Sequence, residues 1–566
     1  MSTTFDPFDL EIIGEHLTAV ADEMFVTTTR TAQSAMIYEV LDFSVGITDS
    51  DGRLVDQGNG LTILLRIFGE RVRGALAQFP ADTLVDGDII MTNDPYGPGG
   101  SHLNDMTLVM PVFVDGQIVA FTCNQAHWAD VGGKDPGSVS VDAGDIFQEG
   151  LQVPFVKIFK AGTLDDEIAR ILSANSRLPG VAMGDLHAQA ASVRIGAKRI
   201  KEICARLGVG AFRASVDKSI AETTELALAE LRKIPAGTYR AQDTITFGGH
   251  EARACVAVTI SDTGIICDFT GTDPQIGNLS VNCGGGGLLA AASVAFKALI
   301  GPHVPVNEGI FGPLTVECPA GTVFTAKAPS ALSIYFQGIA VAADLIWRAL
   351  AEAAPDRLPA GHYLDAGIVI VAGPSDGPGG MFIMNEPNPG GWGAAHDCDG
   401  QRGLVAIHGG HTLNIPVEVL EQRYPIQINQ YALDTSPGGG GEWRGGEGVI
   451  REYAVKTDWA MIASLGNNRK DAPWPVAGGE PGTRTRCEVL RVDGTVEVHH
   501  ESTRIDLRRG DIARLITGKG GGWGRPTDRD PARVAADIRD GVVTPPHTPA
   551  IPPRPPNRRA GRAGGC

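Results

Sequence analysis

The chain has 566 residues, is 43% hydrophobic and 20% charged, and carries a formal net charge of −18 with a pI near 5.2. That length exceeds one ordinary core, so two or three domains are expected, and with no long basic run, nucleic acid and membrane are excluded as partners. The nine cysteines are scattered and never spaced CxxC, which argues against a disulfide framework or a thiolate zinc site; the N-terminus lacks a basic, apolar leader, so a cytoplasmic protein is expected.

In chain order, Ile12, Ile13, His16, Leu17, Val20, Met24 and Phe25 recur at helical spacing and predict a helix over 9–34, with Asp9 as candidate cap. DFSVGITDSDGRLVD (42–56) reads as strand, Asp-Gly turn, strand, and 60–80 returns to helical periodicity. The segment 105–130, DMTLVMPVFVDGQIVAFTCNQAHWAD, is the clearest hairpin: two apolar runs flank Asp115-Gly116, a preferred tight-turn pair. A two-residue loop sets Asp105 opposite Ala126, whereas a three-residue loop with a bulge sets it opposite His127. Either register brings Asp105 and His127 to one open end, about 5 Å apart across the ladder.

Residues 163–235 are mainly helical in pattern, 236–330 alternate as a half-buried antiparallel sheet, and helices are expected over 284–300 and 330–354. Residues 360–455 are glycine-rich and irregular, 456–517 read as short strands, and one helix closes the fold. After Val543 the chain is rich in proline and arginine and is expected to be disordered. The 73 glycines, about twice the usual share, come in bursts such as 284–287 and 438–441. The fold class predicted is mixed α+β: several antiparallel or mixed sheets with covering helices and glycine-rich loops. The expected segments are 1–235, carrying a metal site; 236–455, a central mixed sheet; 456–543, β-rich with the closing helix; and the tail 544–566.

Candidate chemistry concentrates in GGSHLND (99–105) and NQAHWAD (124–130), which supply His102, Asp105, His127 and Asp130. Two imidazoles with one or two carboxylates suit zinc, manganese or iron. From these residues alone the two histidines also read as ordinary hydrogen-bonded loop ends. Asp42, opening an apolar strand, is a further candidate, and a strand-start carboxylate in water is its plain alternative. A second patch holds His396, Asp397, Asp399, His408 and His411 among glycines, as site-lining loops and surface loops both do. TGKGGGWG (517–524) lacks Walker A spacing, so if the chemistry needs ATP another polypeptide binds it; for serine hydrolysis no GxSxG is present.

The sequence resembles the hydantoinase B/oxoprolinase family in YEVLDFSVGITDSDG, GDIIMTNDPYGPGGSHLNDM, NQAHWADVGGKDPGS, IFQEGLQVP, CDFTGTDPQIGNLSVN, NEGIFGPLTVECPAGT, IPVEVLEQRYPIQINQY, GGGGEWRGGEGVIREY and GKGGGWGRPTDRDPARVAADI, in family order over about 5–543. The resemblance implies one divalent metal (zinc, manganese or iron) on Asp42, His102, Asp105 and His127. It implies Asp130 as an orienting residue, Glu149, Asn93 and Asp94 as pocket- or loop-shaping residues, and Asp105, Asp130 and Glu149 as the catalytic candidates. Asp105 and Asp130 are alternative proton relays. The implied reaction is ATP-dependent ring opening of a hydantoin, 5-oxoproline or lactam. A hydantoinase A-like ATPase subunit would hold ATP and magnesium, within a heterotetramer. The alternative is the large subunit of an ATP-dependent ketone carboxylase; a third reading is a metal-stabilised scaffold that only organises the ATPase. Two departures stand out: DTSPGGGGEWRGG carries Pro437 and a fourth glycine, and the chain lacks the extra length of acetone carboxylase large subunits.

Overall fold

Asp115 and Gly116 both adopt positive φ, 49° and 75°, the conformation that folds two right-twisted strands back through a two-residue loop. The computed structural model describes residues 5–375, 380–466 and 468–542; the tail 544–566, expected to be disordered, lies outside the described residues. The two strands joined by this turn are the centre of a seven-stranded sheet. Its strands are β1 (Phe43–Asp49), β2 (Leu54–Gln57), β3 (Ile89–Thr92), β4 (Asp105–Val114), β5 (Gln117–His127), β6 (Val156–Lys160) and β7 (Thr163–Leu164), in the order β2-β1-β5-β4-β3-β6-β7. Every neighbouring pair is antiparallel.

The period of two sorts β4 cleanly. Met106, Leu108, Met110 and Val112 join the core made with helices Pro7–Thr31 and Pro179–Leu207, while Val109 joins the core on the opposite face. Asp105 and Thr107 share the face of Val109 by parity. The first helix is capped by Asp6, whose side chain accepts from the Phe8 amide, rather than by Asp9. The helix expected over 60–80 forms only at Ile67–Gln78, because Arg66 takes a left-handed φ of 68° that resets the chain. The helical stretch 163–235 resolves into the short strand Thr163–Leu164 and helices Asp166–Ala174, Pro179–Leu207 and Val209–Leu231.

A four-stranded sheet follows, Gly237–Phe247, His250–Ser261 and Gly264–Asp268 antiparallel, with Leu314–Glu317 added in parallel. Burial alternates along His250–Ser261, and helix Phe336–Leu350 covers the buried face. The boundary expected at 455/456 does not separate sheets. Ile368–Pro374 pairs with Ala460–Leu465, and Val449–Val455 pairs with Ile512–Ile516. Each C-terminal sheet draws strands from both sides of that point, so neither side leaves an unpaired ladder.

Part of the glycine excess has a local cause. At Gly446 an added Cβ would collide with the carbonyl oxygen of Gln401, and at Gly520 with that of Trp392, so the bursts pack backbone on backbone. The fold class is mixed α+β. Among the described residues no helix is long and apolar enough to cross a membrane.

Candidate metal centre

The loop at Asp115-Gly116 has two residues, yet Asp105 lies opposite His127 rather than Ala126. The register shifts between Val112 and Phe113: Phe113 pairs with Ile118 and Val112 with Ala120, so Val119 is an extra, bulged residue. The bulge moves every later position of β5 by one and sets Asp105 and His127 on one face. On the other edge of β5, Phe43 pairs with Ala126, and the His127 amide donates to the Asp42 carbonyl at 3.0 Å. Leu41 carries a φ of 63° just before Asp42, a left-handed turn that a branched side chain rarely takes. His102 closes a turn onto β4: the Asp105 amide donates to its carbonyl at 3.1 Å. The fold thus gathers Asp42, His102, Asp105 and His127 at one sheet end.

The four side chains line one cavity of about 60 Å³, room for roughly four to six waters at about 10–15 Å³ each. His102, Asp105 and His127 are buried, and Asp42 keeps part of its surface accessible. The His102 ring centroid is 5.0 Å from that of His127 and 5.0 Å from that of Tyr335. His102 Nδ1 donates to the Ser333 carbonyl at 3.0 Å, because a carbonyl can only accept. That leaves Nε2 facing Asp105 Oδ1 at 3.3 Å, where it donates while the ring keeps its second proton and offers a lone pair once that proton leaves. Tyr335 Oη donates to Asp105 Oδ2 at 3.1 Å.

Charge is crowded here. Burial and the nearby Asp105 charge push Asp42 up to about 8. Burial works against Asp105 too, but the His102 and His127 imidazoles and the His102 hydrogen bond outweigh it and hold Asp105 at about 2. Burial and the His102 charge push His127 down to about 3, while against burial the Asp105 carboxylate holds a proton on His102.

Among the described residues no group of three His, Cys, Asp or Glu side chains already stands in ligating geometry. An ion would replace the His102–Asp105 contact. The donor chemistry nonetheless fits a divalent cation. His127 Nδ1 is buried with no hydrogen-bond partner among the described residues, two carboxylates share one site, and the Ser333 bond fixes the His102 tautomer that offers Nε2.

The other candidates sit outside this cavity. Asp130 Oδ1 accepts from the Gly132 and Arg177 amides at 3.1 and 2.8 Å, and Oδ2 from Gly137 N and Arg177 Nη1 at 3.1 and 3.0 Å. It is committed to its own loop. Glu149 accepts from the Leu332 amide at 2.8 Å and the Ser333 amide at 2.7 Å, and so secures the segment that carries Ser333 and Tyr335. Asn93 bridges Leu103, Leu151 and Val153 backbone groups, and Asp94 caps the turn at Tyr96 and Gly97. In the second patch, His396 is exposed beside Asp397, Asp399 binds Arg529 through both oxygens, and His411 is exposed; His408 alone of these five lines the cavity. Tyr335 and Ser333 went unread in the sequence, since nothing local marks them within the apolar run that follows Ala331.

The hydantoinase B/oxoprolinase family model matches residues 6–526. The chain belongs to the hydantoinase B/oxoprolinase family. A relative from Pseudomonas sp. (strain NS671), described as the B-type component of a D-/L-hydantoinase, is 28% identical, over 95% of this chain and 93% of its own. The crystal structure of ATP-dependent caprolactamase from Pseudomonas jessenii superposes with a TM-score of 0.87 at 27% identity, covering 96% of this chain and 95% of that one. An acetone carboxylase structure shares the fold, with a TM-score of 0.86 at 20% identity over 95% of this chain and 78% of its own. The family's other namesake activity is the oxoprolinase reaction.

Proposed function

We propose that this chain is the hydrolytic subunit of an ATP-dependent cyclic amidohydrolase that opens a hydantoin, 5-oxoproline or lactam ring. The observation that carries the reading is the full-length kinship with a B-type hydantoinase component and a caprolactamase, joined to a His/Asp cluster that faces a cavity. A hydantoinase A-like ATPase subunit, holding ATP and magnesium, completes the enzyme as a heterotetramer in the cytoplasm. It transfers the γ-phosphoryl group to the amide oxygen, releasing ADP; water adds at the activated carbon, the ring amine leaves as it takes up a proton, and a second water hydrolyses the resulting acyl phosphate to carboxylate and phosphate.

The cluster's donor set would hold one zinc, manganese or iron through Asp42, His102, Asp105 and His127. Such an ion, when bound, polarises the reacting oxygen and makes a nearby water more acidic. The chain's own groups do the rest. Tyr335 and the Ser333 carbonyl fix Asp105 and the His102 tautomer, and Glu149 secures the segment that carries both. The apolar walls exclude bulk water from the activated ring. Asp105, an acceptor-only carboxylate on the cavity wall, orients the attacking water; Asp130 is fully bonded elsewhere and lies off this path.

The test is co-expression with a hydantoinase A-like partner. The purified complex is then given ATP with cyclic amides, or with ketones and bicarbonate. Ring-opened amino acid from the amides supports the reading; a β-keto acid from ketone and bicarbonate, without amide opening, replaces it with the carboxylase.

A further inference from the structure

The cavity has a second set of polar groups. His408 is 2% exposed and Thr412 6% exposed, and both line the same cavity as the His/Asp cluster. Neither ring nitrogen of His408 nor the Thr412 hydroxyl has a hydrogen-bond partner among the described residues. Buried polar groups are almost always paired, and three unpaired atoms lining one cavity mark a place made for something the chain does not supply. His408 stands apart from the cluster electrostatically: burial alone pushes its imidazole down to about 4, with no carboxylate drawing it up. It is therefore a neutral ring at ordinary pH, one nitrogen donating and the other accepting. A threonine hydroxyl also does both.

Apart from Tyr363 and Asn385, most of the remaining lining is apolar, formed by side chains such as Met36, Val40, Ile63, Phe336 and Ile370. Among the described residues that line the cavity, none is lysine or arginine. The buried Arg71 feels the Asp105 charge but donates to the Asp94 carbonyl and does not line the cavity.

From this we infer that His408 and Thr412 form a recognition subsite for the edge of a neutral cyclic amide, and that the cavity selects uncharged, largely apolar rings over rings bearing a carboxylate. This rests on the ring-opening reading above. The reacting carbonyl, phosphorylated or not, lies toward the His/Asp cluster. The opposite edge of the ring then meets a neutral imidazole, a hydroxyl and hydrocarbon. An amide N–H and a second carbonyl pair well with these groups. A carboxylate, such as that of 5-oxoproline, would be desolvated there with no cation to receive it.

The test uses the complex with its hydantoinase A-like partner, comparing ε-caprolactam and unsubstituted hydantoin with 5-oxoproline under ATP. The neutral rings are expected to exceed 5-oxoproline by at least about 100-fold in kcat/KM. His408→Ala and Thr412→Val are expected to raise KM for the neutral rings by about 5- to 30-fold, with kcat within about threefold, the loss of one or two hydrogen bonds. Thr412→Val is also expected to melt no lower than the parent, since it removes an unpaired buried hydroxyl; a hydroxyl that merely held the fold together would give the opposite. Equal or greater turnover of 5-oxoproline, or unchanged KM in both variants, overturns the inference. If no ring is opened by the parent complex, the ring-opening reading fails by itself. Equilibrium dialysis of ε-caprolactam then decides the subsite: retention by the parent and loss in both variants upholds it, and no retention overturns it.

Discussion

Replacing Tyr335 by phenylalanine removes one hydroxyl and leaves the ring against His102, at a centroid distance of 5.0 Å. That hydroxyl donates to Asp105 Oδ2 at 3.1 Å from a side chain only 2% exposed. A hydrogen bond to a charged group contributes about 1.5–3 kcal/mol. At about 1.4 kcal/mol per tenfold, that is roughly a 10- to 100-fold change in an equilibrium constant. Loss of an outer partner of a metal-binding group weakens affinity over the same range, about 10- to 100-fold. Tyr335→Phe should therefore bind a divalent cation about 10- to 100-fold more weakly, measured by competition with a chromogenic chelator on the metal-stripped chain. The melting temperature without metal should move little, because the aromatic volume stays. Affinity within about twofold of the parent would refute the argument that Tyr335 holds Asp105 for an ion.

His127→Ala should lose bound metal and at least about 100-fold of ring opening while still co-purifying with the ATPase subunit; full turnover in that variant would favour the scaffold reading. Asp130→Asn should lower stability by about 1–3 kcal/mol in chemical denaturation, since its four hydrogen bonds tie Gly132, Gly137 and Arg177 together, and should leave metal content per folded chain unchanged. Metal loss with stability intact would contradict that assignment. Asp365 is buried, and burial pushes it up to about 7. The unfolded chain releases this proton near pH 4 and the folded chain near 7, so the native state binds more protons between them. Its contribution to stability is therefore lost as pH rises from about 4 to about 7 and is flat above. Asp365→Asn should flatten that slope in denaturation curves at pH 5, 6, 7 and 8, and an unchanged slope would exclude Asp365 as its source. Gly520→Ala should fail to give soluble, folded protein, because the added carbon meets the Trp392 carbonyl rather than a flexible side chain; a variant melting within a few degrees of the parent would count against the backbone packing described.

The hairpin and its turn were legible because they are local. Asp115-Gly116 punctuates two alternating runs, and parity along β4 and β5 decides which residues share a face. The register was legible only as two alternatives. The observed one combines the two-residue loop of the first with the His127 pairing of the second, through a bulge at Val119 that no turn residue announces. Asp42 was recognisable as an acid at the mouth of an apolar strand, but its adjacency to His127 depends on β1 pairing with β5, far along the chain. Tyr335, Ser333 and the cavity role of His408 were not legible. They come to the cavity from segments more than two hundred residues away, and the helix expected over 330–354 begins only at Phe336, leaving Ser333 and Tyr335 in the turn before it. The pairing of strands from either side of residue 455 was not legible for the same reason: short strands carry their own pattern, but not the identity of their neighbours.

The central claim is that the bulged hairpin gathers its imidazoles and carboxylates around one cation. Elemental analysis of the active complex by plasma mass spectrometry, with ring opening assayed on the same preparation, tests it most directly. The account predicts about one zinc, manganese or iron per chain, with activity lost on chelation and regained on adding the metal back. Full ATP-dependent ring opening by a preparation free of stoichiometric metal would contradict it.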